Sequence, residues 1–272
     1  MKVLMIDPQN DFHELENSTL PVKGSLQNAE NITKFLENNK KEISDIVVTL
    51  DTHEKYDIAH QDFWLDESGN KPSPLTVILN KDILEGKFVP KDPNEKDYVL
   101  YYTNKLEEQG KEVHLIWPNH CLKGVTDGWN VYEPIQKTLD SWEKEKNKNV
   151  IFYEKGTDYK TEHYGAFEPE VHTENSKFDR EFFDENIENN NEKIVIMGQA
   201  LSHCVGETVR QIIANTSRPK SDFVLLVDCT SPVPGFEEKA ENLLKEFEEA
   251  GIELKTINDF IPKNTNKKKL GV

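Results

Sequence analysis

Short apolar, β-rich runs recur along the whole chain, with helical stretches between most of them. The runs fall at residues 3–7, 45–51 (DIVVTLD), 113–117 (VHLIW), 149–153 (NVIFY), 193–198 (KIVIMG), 223–228 (FVLLVD) and 251–256 (GIELKT). Most lack polar alternation, so both faces of each strand must be covered, as in a parallel sheet between helical layers. Helical periodicity marks residues 25–38, 131–145, 205–214 and 236–250, with Ser25 as a candidate N-cap. The alternation predicts an α/β fold of three layers, α/β/α, around a mostly parallel, doubly wound sheet. In such sheets binding sites lie beyond the carboxyl ends of the strands.

The segment 64–112 departs from this rhythm. It holds Pro72, Pro74, Pro90 and Pro93 with Gly69 and Gly86, and it is strongly polar. It is expected to be an insertion of loops with a small helix near 98–108, serving as a lid, an oligomer contact or a solvated loop. Residues 185–192 (ENIENNNE) are expected to form a polar surface turn. The whole is expected to be a single domain over 1–262, followed by a flexible C-terminal tail over 263–272.

Charge narrows the partners. The 272 residues carry a formal net charge of -17, a surface that repels phosphate backbones, so neither nucleic acid nor an anionic membrane is expected. Cys121, Cys204 and Cys229 are an odd, sparse set and do not suggest a disulfide framework. The N-terminus runs straight into a strand without a signal peptide, and no apolar stretch is long enough to span a bilayer. A cytoplasmic protein with reduced thiols is the expectation.

Chemistry collects at the strand ends. Cys204 opens a helix directly after the run 193–198 and the turn 199–203. A thiol at a helix N-terminus sits in the positive end of the dipole, which favours the nucleophilic thiolate. Taken alone, Cys204 reads more readily as a buried structural cysteine. Asp7 and Lys155 end two other strands, and their company shifts that reading. Lys155 would stabilise a thiolate, and the Asp7 carboxylate would take the thiol proton. Asp51 and His53 lie two apart after the second run, so an extended backbone points both side chains the same way. His120, in WPNHC, supplies a second imidazole. Two His and one Asp suit a divalent transition ion such as Zn, Fe or Mn. His60 is either a fourth ligand or an exposed loop histidine, and Cys121 reads as structural.

These residues stand in motifs that resemble a known family. MIDPQNDF (5–12), LPVKGS (20–25), VVTLDTH (47–53), WPNHCLKG (117–124), EKGTDYKTEHYGAF (154–167) and GQALSHCV (198–205) resemble, in order, those of the isochorismatase-like cysteine hydrolases, most of all the nicotinamidases. The resemblance implies a catalytic triad of Asp7, Lys155 and Cys204. It places one divalent metal, zinc first and Fe or Mn as alternatives, on Asp51, His53 and His120, with His60 less securely aligned. Phe12 and Trp117 match the aromatics that sandwich a pyridine ring, and Tyr164 falls near a further pocket aromatic. A cis Gln199–Ala200 peptide is implied, with the amides of Ala200 and Cys204 as an oxyanion hole.

The activity implied is hydrolysis of nicotinamide to nicotinate and ammonia through a Cys204 thioester, in NAD salvage. The alternative is another metal-assisted or metal-free hydrolase of this family acting on a different small amide. A small-molecule amide is thus the expected partner, and family habit allows a homo-oligomer. Leu201-Ser202 in place of the commoner Thr-Asp, and the long segment between His60 and Trp117, depart from the family pattern. A non-catalytic binding protein is disfavoured by the intact Asp7, Lys155 and Cys204. A redox role for Cys204 is disfavoured by the lack of a nearby resolving cysteine.

Overall fold

The computed structural model describes residues 1–111 and 113–261; residues 112 and 262–272, and with them the tail expected over 263–272, lie outside the described residues. In chain order the elements are β1 (Lys2–Ile6), α1 (Ser25–Asn38), β2 (Asp45–Asp51), β3 (Trp64–Asp66), β4 (Val77–Ile78), α2 (Asn80–Leu84), β5 (Phe88–Pro90), α3 (Lys96–Glu108), β6 (His114–Leu115), α4 (Glu133–Lys146), β7 (Ile151–Lys155), α5 (Arg180–Phe183), β8 (Ile194–Gly198), α6 (Cys204–Asn215), β9 (Phe223–Leu226), α7 (Glu237–Ala250) and β10 (Glu253–Lys255).

A six-stranded sheet in the order β10-β9-β8-β1-β2-β7 forms the centre. Every neighbouring pair in it is parallel. Strand alternation sorts the side chains into two cores. Val3, Met5, Ile46 and Val48 pack with Ala29, Ile32 and Phe35 of α1 and Ile135, Leu139 and Trp142 of α4. Leu4, Ile6 and Val47 face the other way, onto Val205, Val209 and Ile212 of α6 and Leu243 and Phe247 of α7. Both faces are therefore apolar, which is why polar alternation is missing from the sequence. β7 is the exception: it lies at the sheet edge, and Ile151 and Phe152 are exposed.

The local chemistry explains the helix ends. Pro134 sits in the first turn of α4, Lys144 and Lys146 in its last turn, and Asn147 closes it in the left-handed region. Ser25 is not the cap of α1. Gly24 takes that position at φ +87, and Ser25 lies just inside the helix, where its hydroxyl accepts from the Glu14 amide at 3.0 Å.

Three expectations are corrected here. The run 113–117 does not join the central sheet. Its ordered part, β6, pairs antiparallel with β4 in a small separate sheet. The insertion has the helix expected near 98–108, but its remainder is not merely loops. β3 and β5 pair antiparallel, and α3 runs Lys96–Glu108. Phe63, Trp64, Ile78, Ile83, Val99, Tyr102 and Leu106 make a core of their own with Ile58, Ile116 and Val171. Residues 185–192 are also more than a surface turn, since Asn186 and Ile187 are buried and Lys2 Nζ donates to Asn186 Oδ1 at 3.0 Å.

The insertion core encloses His114 between Trp64 and Tyr102, with ring centroids at 5.3 and 5.4 Å. Burial pulls its pKa down to about 4, against a backbone hydrogen bond with Ile58 that raises it. The unfolded ring titrates near 6.5, so below that pH the unfolded chain binds the extra proton. This contribution is complete above pH 6.5 and is lost as pH falls towards 4. Between pH 7 and 5 it should amount to roughly 2 kcal/mol. His163, pulled to about 3 first by burial, adds a loss of the same sign. Urea unfolding of the wild type and of His114→Phe at both pH values checks this. The variant should lose less stability on acidification; equal losses would contradict the argument.

Candidate active site

Four strand or helix ends meet at one rim of the sheet. β1 ends at Ile6, and Asp7 turns the chain out of the sheet at φ +44. Its buried carboxylate is held on both oxygens. Thr49 Oγ1 donates to Oδ1 at 2.5 Å, and Lys155 Nζ lies 3.1 Å from Oδ2. Lys155 ends β7 directly opposite Asp51 in the β2–β7 register. From there its ammonium reaches Asp51 Oδ1 at 2.8 Å, the His163 carbonyl at 2.8 Å and Cys204 Sγ at 3.7 Å. Cys204 is the first residue of α6. Gly198, ending β8 at φ +120, allows the approach: a Cβ there would lie 2.0 Å from the Ile6 carbonyl oxygen. The turn that follows contains a cis Gln199–Ala200 peptide.

The electrostatics decide the resting proton. Burial alone would discharge Lys155, but Asp51 and Asp7 overcome it and hold the ammonium well above its usual range. For Asp7, burial raises the pKa more than Lys155 lowers it. For Cys204, burial pushes the thiol up, Lys155 pulls it down, and Asp7 pushes it up again with a hydrogen bond to the thiol. This corrects the expectation of a thiolate favoured by the helix dipole. Both directions favour the protonated thiol beside a carboxylate of raised basicity, a pair suited to proton transfer from Cys204 to Asp7.

Asp51 joins this group to a second one. Its Oδ1 serves Lys155, while Oδ2 lies 3.2 Å from His53 Nε2 and 3.1 Å from His120 Nε2. His60 Nε2 is 3.1 Å from His120 Nδ1. The nitrogens of His53, His60 and His120 lie within 4.8 Å of one another, and all three rings are buried. His60 is therefore with the cluster and not on an exposed loop. His53 Nδ1 is bound by Asp57 Oδ2 at 3.0 Å, the arrangement that orients a metal-binding imidazole. Burial lowers the pKa of His53, but Asp51 and Asp57 outweigh it and raise it well above the usual value. These carboxylates thus call for positive charge at this spot. Three imidazoles and one carboxylate oxygen are a donor set that fits a divalent transition ion.

A narrow cavity lies against both groups. Phe12, Trp117, Tyr164, His120, Asp51, Ala200 and Cys204 line it. The free space is about 20 Å³, room for roughly one water, so a ring enters only if these side chains part. Trp117 Nε1 donates to Tyr164 Oη at 2.9 Å, and Phe12 meets His120 edge-on at 5.6 Å. The long insertion leaves this arrangement intact because its two roots are tied together: His60 and Trp117 bridge in parallel, and the Trp117 amide donates to the Ala59 carbonyl at 2.8 Å. α3 also holds the loop after Lys155. Tyr98 Oη donates to the Lys160 carbonyl at 2.6 Å, and Tyr102 Oη accepts from the Glu162 amide at 3.3 Å.

The candidate site residues Asp7, Asp51, His53, His60, His120, Lys155, Cys204, Phe12, Trp117, Tyr164 and Ala200 thus lie together at this rim. Others were missed. Glu162 is a buried carboxylate in the cavity wall, and Leu20, His203 and Val233 complete the lining. Asp57 orients His53. Asp11 receives the Cys121 amide at 2.7 Å and the Thr19 amide at 3.0 Å, joining the Phe12 loop to the His120 loop. The four-residue spacing of His53 and Asp57 was the one available signal; the rest are tertiary contacts.

No family model matches this chain, and no match was found among curated proteins. Solved structures do match. The yeast nicotinamidase bound to the inhibitor nicotinaldehyde superposes with a TM-score of 0.65 at 20% identity, covering 94% of this chain and 100% of that one. The Acinetobacter baumannii nicotinamidase/pyrazinamidase gives 0.62 at 16% identity, covering 96% and 97%. The Pyrococcus horikoshii pyrazinamidase in complex with zinc gives 0.53 at 18% identity, covering 94% and 98%. No helix among the described residues is long and apolar enough to cross a membrane. The mostly parallel α/β sheet between two helical layers is therefore the fold that these solved nicotinamidases and pyrazinamidases share, as the sequence led one to expect.

Proposed function

We propose that this protein is an amidohydrolase that converts nicotinamide to nicotinate and ammonia through a thioester on Cys204, a reaction of NAD salvage. The observation that carries the reading is the Lys155 ammonium, which lies 3.1 Å from Asp7 Oδ2 and 3.7 Å from Cys204 Sγ. An acid, an amine and a thiol so placed can run both halves of an acyl transfer.

In the first half, Asp7 takes the Cys204 proton and Lys155 offsets the charge left on sulfur. The sulfur bonds to the carboxamide carbon. Backbone amides of Ala200 and Cys204 receive the oxyanion; the Cys204 N–H opens α6 and has no acceptor within the helix. Asp7 returns the proton to nitrogen, the C–N bond breaks, and ammonia leaves. In the second half, Asp7 draws a proton from water, whose oxygen bonds to the thioester carbon. Asp7 passes that proton to sulfur as the C–S bond breaks, which releases nicotinate and restores the thiol. Phe12 and Trp117 offer stacking surface to the ring. Asp51, His53, His120 and His60 would hold a divalent ion, zinc in the first instance, whose charge beside the ring would make the carbonyl a better electrophile.

Ammonia release from nicotinamide, with and without a chelator, tests the reading. Release should fall at least tenfold on chelation and return with zinc. No release from nicotinamide, with cleavage of another small carboxamide, would transfer the site to the alternative amide hydrolase.

A further inference from the structure

The ladder between β1 and β2 stops short of Asp51. The paired residues end at Met5↔Val48, and one further bond runs from the Asp7 amide to the Thr49 carbonyl at 3.2 Å. There the chain leaves β1, and Pro8 has no N–H to offer. On its other side β2 continues to pair with β7 as far as Asp51↔Lys155. The Asp51 amide and carbonyl that face β1 are buried and need partners from elsewhere. Gln9 supplies them. Its side chain is fully buried, its Oε1 accepts from the Asp51 amide at 2.7 Å, and its Nε2 donates to the Asp51 carbonyl at 2.7 Å. The second Nε2 proton goes to the Trp129 carbonyl at 3.0 Å. The side-chain amide thus replaces the missing rung of the ladder.

What Gln9 holds is the residue on which both halves of the site depend. Asp51 gives Oδ1 to Lys155 and Oδ2 to His53 and His120, so a displaced backbone moves both sets of contacts together. We infer that Gln9 is a positioning residue that sets the Asp51 carboxylate for the lysine and for the metal donors at once. The inference rests on the reading of Asp51 as a metal donor, and it does not depend on which amide is cleaved. Glutamine alone has the required pattern of one acceptor and two donors at this reach. Glutamate would turn an oxygen towards two carbonyls, and leucine of similar size would leave three backbone groups unpaired.

The test uses Gln9→Leu and Gln9→Glu in the full chain. Zinc affinity is read by competition with a chromogenic chelator, coordination by the visible absorption of the cobalt-loaded protein, and thiol reactivity by alkylation of Cys204 in metal-free protein. Thermal melting controls for folding. In folded variants zinc should bind about 10–100-fold more weakly, the cobalt bands should move and the alkylation rate should change. Asn10→Ala, which removes a neighbouring exposed side-chain bond to the Asp127 carbonyl, should alter none of these. Unchanged zinc affinity and cobalt spectrum in a folded Gln9 variant would overturn the inference. Loss of fold in both variants would overturn it too, making Gln9 a folding residue. A wild type that takes up neither zinc nor cobalt would also overturn it, leaving nicotinamide hydrolysis as a separate question, since none of these readouts measures turnover.

Discussion

Cys204→Ala should abolish ammonia release and leave the fold unchanged. The loss expected is about 10⁴-fold or more, because alanine cannot form the acyl intermediate and the remaining groups only bind and polarise. The fold should tolerate the change. The side chain lost is small, and the first two turns of α6 keep their apolar contacts through Val205 and Val209. Melting within a few degrees of wild type, together with absent turnover, is the result expected. Turnover near the wild-type rate would move the nucleophile elsewhere.

Asp51→Ala should do more damage than its place outside the proposed triad suggests. One carboxylate is removed from three partners. Lys155 keeps only Asp7 as a counter-charge within a fully buried site, and stranding part of a buried ion cluster costs about 3–5 kcal/mol. The two imidazoles lose the oxygen between them. Turnover should fall by roughly 10³-fold or more, combining weaker metal binding with a displaced ammonium. Elemental analysis of wild type and variant purified side by side should find divalent metal in the wild type and little in the variant. Asp51→Asn separates the causes, because it keeps the shape and removes the charge. Full metal content and full turnover in Asp51→Ala would exclude Asp51 from both roles.

The sheet and the four chemical strand ends were legible in the sequence for a common reason. Strands buried on both faces leave uninterrupted apolar runs, and the residues that matter here, Asp7, Asp51, Lys155 and Cys204, stand where those runs stop. The same rule misled at residues 113–117. That run is as apolar as a central strand, but it serves the insertion core and pairs with β4. The insertion core was hidden because its apolar residues are dispersed: Val99, Tyr102 and Leu106 lie on one face of a helix whose other face is polar. The thiol state was misjudged because a helix N-terminus is a local signal, whereas burial and the Asp7 carboxylate act through the fold. Gln9, Asp57 and Glu162 share that difficulty. Each is an ordinary polar residue in the sequence and acquires its role from a partner brought near by folding.

The central claim is that Cys204 becomes acylated during turnover. Mixing the wild type with nicotinamide, quenching in acid within the first turnovers and digesting the protein would leave the peptide containing Cys204 for mass spectrometry. The account predicts a nicotinoyl adduct on Cys204 that appears before ammonia release reaches its steady rate and is absent from Cys204→Ala. Steady release of ammonia with no adduct on that peptide at any quench time, or the adduct on another side chain, would contradict it.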